Sequence, residues 1–327
     1  MADPTRQAID RMGELRRLEP TESGAAEIRK TLGAKSNWAV AAAAEAAKTY
    51  ADTPMAESLW APLEKAFVRF IENHPETTDK GCKAKKTIAE ALRALECPRS
   101  DVYLRGVRHV QMEGVFGGFE DTAASLRGEC AIGLMDCRHP EALHECILLL
   151  GDSLRPARIG AVKALGASGR PEAALLLRLA IVKGDEEPEV VAEAMAELMA
   201  LDPRGAFDFV LRYLESDDDA VAEAAALALG SSRQERVLEI LSDKWSRTRK
   251  TQLRKSLLAA IATLRLEPAY AFLAERVAEG RRTDALDALE ALAFYRGDPH
   301  IQELATGALA KRENDGVAAE AARLGFR

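Results

Sequence analysis

One short piece of sequence recurs along this chain, and the recurrence restricts the fold more than any other feature. Its cleanest copy, residues 153–166 (SLRPARIGAVKALG), sets Leu154, Ala157, Ala161, Val162 and Leu165 at helical spacing on one face. That pattern predicts an amphipathic helix with a small-residue seam, with Ser153 as its N-cap and Gly166 at its stop. Weaker copies align on their last leucine (Leu134, Leu165, Leu198, Leu229, Leu264, Leu292, Leu324), a period of roughly 30 to 35 residues that is typical of solenoids. The end motif is plain in AVKALG (161–166), AALALG (225–230) and EAARLG (320–325). A helix of this length cannot bury its apolar face alone. Only stacking against its neighbours supplies a core.

The elements between these copies are also helical. A charged helix is predicted over 5–18, followed by pairs at 25–32 with 37–50, 59–72 with 80–95, and 102–112 with 121–135. Cleaner pairs follow: 141–150 with the 153–166 helix, 171–182 with 186–201, 204–215 with 218–229, 234–245 with 248–264, 268–278 with 283–295, and 300–311 with 315–324. No strand-like alternation is read anywhere, and the glycines of 113–119 (EGVFGGF) mark that stretch as a loop. The expected architecture is all-α, a right-handed α-solenoid of about nine helical hairpins. Its first part, 1–97, is irregular and its second, 98–327, is the clear array, the two forming one continuous solenoid.

Composition agrees with close helix packing through small residues. The 327 residues are 47% hydrophobic but only 5% aromatic, so alanine and glycine take the place of large side chains at the contacts. A net charge of −7 with both signs plentiful argues against a dedicated nucleic-acid binder or an acidic-membrane binder. The polar start (MADPTR) lacks the apolar run of a signal peptide, and no stretch reaches membrane-spanning length. Five cysteines without framework spacing suit a reducing compartment. A cytoplasmic protein with no membrane association is expected.

An apolar helix, a tight turn and a helix ending in Ala-x-x-Ala-Leu-Gly resemble HEAT repeats, in the short variety of bacterial proteins first named for phycobilisome lyases. Residues 154–166, 190–198 and 221–230 carry the resemblance, which is good over 100–327 and loose over 20–97. It implies a curved superhelix whose inner wall is made by the second helix of each pair. It does not fix a function, because the fold supports scaffolds, chromophore-attachment proteins, DNA glycosylases and an iron hydroxylase.

The stretch least explained by repeat packing begins at Tyr103 and runs through Thr122 to Arg127. Arg105, Arg108, His109, Glu113, Glu120, Asp121 and Arg127 surround a glycine-rich loop bearing Phe116 and Phe119. A phenylalanine-bearing loop flanked by arginines suits the grip of a protein or peptide partner, acidic or phosphorylated. A structural account of the same residues has Asp121 or Thr122 capping the next helix, the phenylalanines plugging a gap between hairpins, and the charges solvated. The function expected is a non-catalytic scaffold that binds a protein partner on its concave surface or on the 113–120 loop.

Other clusters point elsewhere. Cys130, Cys137, His139, His144 and Cys146 lie close in sequence but lack the paired spacing that zinc requires, so core and turn roles are expected and no metal or cofactor. Residues 244–255 gather six cations around Trp245, and Lys83, Lys85 and Lys86 form a second group; phosphate neutralisation beside a stacking aromatic would suit nucleic acid. The acidic runs 185–187 and 215–219 would repel a phosphate track, and each sits where a helix begins, which favours carboxylates. Nucleic-acid binding and a lyase-like handling of a chromophore or cofactor remain the alternatives. No nucleophile elbow or phosphate loop is present.

Overall fold

A computed structural model describes residues 3–313 and 315–326; Met1 and Ala2 of the polar start lie outside the described residues. The chain divides into two compact units, 1–176 and 177–327. In the first, helices α1 (Pro4–Leu15), α2 (Glu22–Leu32), α3 (Asn37–Ala47), α4 (Ala56–Glu72), the single turn α5 (Pro75–Thr78), α6 (Lys83–Ala94), α7 (Asp101–Val107), α8 (Ala124–Asp136), α9 (Ala142–Leu150) and α10 (Arg155–Ala167) follow in order. Helix α11 (Pro171–Lys183) crosses the division. The second unit continues with α12 (Pro188–Leu201), α13 (Phe207–Leu211), α14 (Asp219–Ser231), α15 (Glu235–Arg247), α16 (Thr251–Thr263), α17 (Glu267–Glu279), α18 (Arg282–Ala293), α19 (Pro299–Ala310) and α20 (Val317–Leu324).

The packing order is that of an α-solenoid. Six hairpins close on themselves in this way, α2 on α3, α4 on α6, α7 on α8 and α9 on α10 in the first unit, and α15 on α16 and α17 on α18 in the second. Second helices then stack on the next second helix: α3 on α6, α6 on α8 and α8 on α10, and likewise α12 on α14, α14 on α16, α16 on α18 and α18 on α20. The seam residues are the ones that vanish from solvent. In α10, Ala157, Ala161, Val162, Ala164 and Leu165 are buried, and in α14 Ala222, Ala224, Ala225, Ala226, Ala228 and Leu229 are buried. Small side chains make the contact intimate. A Cβ placed on Gly160 would lie 2.1 Å from the Cα of Gly128, so α8 and α10 cross backbone to backbone.

Three expectations need correction. Residues 113–119 are not an irregular loop: β1 (Met112–Val115) and β2 (Gly118–Asp121) form an antiparallel hairpin, with Val115 opposite Gly118 and Met112 opposite Asp121. The two-residue turn, Phe116-Gly117, needs a positive φ at its second position, and Gly117 supplies it at +95°. Hence the helix predicted to reach Met112 stops at Val107. Finally, α10 starts one residue later than its sequence suggests, with Leu154 at the cap position and Asp152, not Ser153, accepting the Leu154 N–H at 2.9 Å. Among the described residues no helix is long and apolar enough to cross a membrane.

Candidate partner-binding site

The hairpin between α7 and α8 stands on a buried polar base. Arg127, on the first turns of α8, is nearly inaccessible, and its guanidinium meets Asp121 at 2.7 Å, Asp152 at 2.9 Å and the carbonyl of His109 at 3.0 Å. Asp121 also accepts the backbone N–H groups of Gln111 and Ala123, each at 3.0 Å, which closes the foot of the hairpin and starts the helix. Burial pushes the Asp121 carboxyl up, but those two N–H groups and Arg127 outweigh it and hold its pKa below the ordinary value. Glu113 behaves alike. Burial opposes its charge, yet Gly81 N–H at 2.7 Å, Gln111 and Thr122 Oγ1 at 2.8 Å draw its pKa down.

A second anchor lies beneath. Asp79 and Lys85 are both fully buried and pair at 3.2 Å. The Asp79 carboxylate also accepts the N–H of Ala84 and of Lys85 at the start of α6, and Gln111 Nε2 donates to the Asp79 carbonyl at 2.9 Å. The hairpin is therefore tied by side chains to the segment before α6 as well as to α8. His109, half-buried, has Nε2 at 3.2 Å from Gln111 Oε1; desolvation lowers its pKa, against the pull of that hydrogen bond.

Above this base the surface is apolar. Val110, Met112, Val115, Phe116 and Phe119 are all exposed, Phe116 wholly so, and the neighbouring α9 exposes Ile147 and Leu148. The phenylalanines therefore do not plug a gap between hairpins. Between β2 and α9 opens a cleft of about 680 Å³, walled by Val110, Met112, Phe119, Leu148, Leu149 and Leu154, with Arg108, Arg127, Glu120, Asp121, Glu145 and Asp152 among its polar lining.

The nine residues singled out in the sequence thus have different fates. Phe116, Phe119 and Glu120 present free surface. His109, Glu113, Asp121 and Arg127 form the base. Arg105 and Arg108 stand at the surface but are engaged: Arg105 pairs with Glu72 at 2.9 Å, and Arg108 with Glu141 at 2.8 Å and with the buried Glu145. The arginines expected to grip an acidic partner already hold carboxylates of the chain itself. Sequence reasoning missed the apolar partners Val110, Met112 and Leu148. Leu148 sits in an unbroken apolar run at 146–150, more than one helix face can bury, which was the available signal.

The other candidate clusters resolve differently. Val237, Leu241 and Trp245 form the buried stripe of α15, so Trp245 does not face solvent. Its ring lies edge-on to Phe272, with the Arg254 guanidinium 4.1 Å from its centroid. Lys244 pairs with Glu215, Lys250 with Asp219 and Arg254 with Asp284. Lys85 is buried, Lys86 pairs with Glu90, and Lys83 lies over the Trp38 ring. Most cations of both groups are thus engaged within the chain. Cys130 packs against Gly106, and among the described residues no three His, Cys, Asp or Glu side chains are placed to hold a metal ion.

Stacked hairpins with an alanine seam define the chain as an α-solenoid repeat protein. Residues 175–262 match the family model of HEAT repeats. Solved structures similar to it include the complex of CpcE and CpcF of phycocyanin lyase from Nostoc sp. (18% identity, 75% of this chain and 94% of that one, TM-score 0.40). Another is a crystallised engineered protein (17% identity, 98% and 93%, TM-score 0.41). No curated protein matches the sequence.

Proposed function

We propose that this chain is a non-catalytic docking scaffold that holds a protein partner in the cleft beside the 112–121 hairpin. The observation that carries the reading is the pairing of an exposed apolar surface (Val110, Met112, Phe119, Leu148) with a base whose polar groups are already satisfied. Exposed apolar patches of this kind mark interaction sites, and a buried hydrogen-bonded base keeps the anchors in place without an ordering cost at binding. The partner's contribution is apolar anchors, because Arg105, Arg108 and Arg127 are engaged within the chain.

The thiols support a non-catalytic role. Burial raises Cys82 and Cys137 to about 11 and Cys146 to about 12, so none offers a thiolate nucleophile near neutral pH.

The test is a pull-down from the native host with three baits: wild type, Phe119→Ser with Leu148→Ser, and Leu179→Ser with Val182→Ser. The last pair removes exposed apolar residues of α11, outside the cleft. At least one protein retained by wild type and by the α11 variant is expected to be lost from the cleft variant. Identical sets on all three baits would refute the assignment.

A further inference from the structure

The cleft has one wall that is backbone. In an antiparallel pair, hydrogen-bonded residue pairs alternate with pairs whose N–H and C=O groups point away from the partner strand. The Thr122 N–H donates to the Gln111 carbonyl at 2.9 Å, which fixes the alternation: Gln111 with Thr122, Glu113 with Glu120, and Val115 with Gly118 are the bonded pairs. Phe119 and Asp121 on β2 therefore direct their backbone groups away from β1. Outside the β1–β2 pairing, no hydrogen bond among the described residues ends on the Phe119 N–H or C=O. Phe119, Glu120 and Asp121 all line the cleft, whereas β1 contributes only Met112, so the open edge of β2 is the one that borders it.

The charge around that edge has a sign. Four carboxylates line the cleft (Glu120, Asp121, Glu145, Asp152) against two guanidiniums (Arg108, Arg127), and both guanidiniums already hold carboxylates. Glu120 is exposed. The unbalanced charge is negative, and it complements a cationic occupant.

We infer that the cleft takes an extended, basic segment of a partner protein, which pairs with the free edge of β2 as a third strand. This rests on the docking reading above and specifies its geometry. Backbone hydrogen bonds to Phe119 and Asp121 fix the register. Alternate side chains of the segment then point between Phe119 and Leu148, and intervening lysines or arginines meet Glu120. A two-stranded hairpin is marginal by itself, and a third strand is the ordinary way to complete it. Unlike a helix laid in a groove, this occupant uses the open N–H and C=O groups that border the cleft.

The experiment uses the full chain and a displayed library of random peptides about ten residues long, enough for one strand. Enriched sequences are expected to carry apolar residues at every second position with lysine or arginine between them. A synthetic copy of an enriched peptide is then N-methylated at alternate residues in either of two registers. The register facing β2 is expected to bind about tenfold more weakly, the usual worth of two backbone hydrogen bonds, and the register facing solvent to bind as before. Because the change is in the peptide, folding of the protein is not in question. Equal effects of the two registers, enrichment of acidic or helix-period sequences, or no enrichment would each overturn the strand assignment. If the pull-down still separates the cleft variant from wild type, docking stands and only its geometry falls; if that also fails, both fall.

Discussion

Two runs of cations in this chain look alike as sequence and do opposite work. Lys83, Lys85 and Lys86 in the first unit, and the stretch from Lys244 to Lys255 in the second, both read as basic patches. In the first, Lys85 turns inward to a carboxylate with no solvent access on either side. In the second, the cations reach outward to acids on neighbouring repeats: Lys244 to Glu215 across 29 residues, Lys250 to Asp219 across 31, and Arg254 to Asp284 across 30. These separations are the repeat period. A solenoid sets each surface charge beside the residue one repeat away, so a local run of one sign is balanced by a run of the other sign about thirty residues off. The buried pair has the opposite character. It anchors the hairpin and is costly to disturb, whereas the outward pairs are screened and individually weak.

The largest effect should come from the buried pair. Asp79→Ala leaves the Lys85 ammonium without its carboxylate and removes the acceptor for the Ala84 and Lys85 N–H groups. Stability should fall by about 3–5 kcal/mol, the usual result of stranding one member of a buried ion pair. Urea unfolding reads this directly. The double change Asp79→Asn with Lys85→Met removes both charges and keeps a side-chain acceptor, and should recover most of the loss. A double variant as unstable as the single one would mean that the pair's charge is not what matters.

The base of the hairpin should also make the first unit acid-sensitive, in two steps. Burial depresses the His109 pKa below its ordinary 6.5, so the folded state prefers the neutral ring. Its contribution is complete above 6.5 and erodes as pH falls from there to the lowered folded value. Asp121 and Glu113 have depressed carboxyl pKa values, so their contributions hold above the ordinary carboxylate range and are lost as pH falls through the folded values. Thermal melts across pH should show both losses. His109→Gln should abolish the upper step and leave the lower; a step below 6.5 that persists in that variant would place its origin elsewhere.

The repeats were legible because their signal is periodic and redundant. An alanine seam that recurs at each second helix survives a slightly misplaced boundary, as α10 shows by starting one residue later than expected and still burying Ala157, Ala161 and Leu165. The hairpin was not legible for the converse reason. Its strands are four residues long and mostly exposed, so no buried face imposes an alternation, and its glycines read equally well as an irregular loop. The fates of Lys85 and Trp245 could have been read. Lys85 stands on the stripe of Ile88 and Leu92 in α6, and Trp245 on that of Val237 and Leu241 in α15, so helical phase places both inside where charge counting placed them outside. What no local reading supplies is the partner of a buried lysine six residues beyond its carboxylate across a break between helices, because the intervening backbone is irregular, with Gly81 and Cys82 both at positive φ.

The smallest effect should come from the outward pairs. Lys250 and Asp219 meet at 2.5 Å with about half of each side chain in solvent. Lys250→Ala removes one member, yet Asp219 stays hydrated at the start of α14, where a carboxylate is favoured in any case. A cost of about 0–1 kcal/mol is expected, shrinking further in high salt. Urea unfolding at low and high ionic strength reads both values. A loss approaching that of Asp79→Ala would mean that the repeat-to-repeat pairs form a cooperative ladder, and the contrast between inward and outward cations would have to be redrawn around connectivity instead of burial.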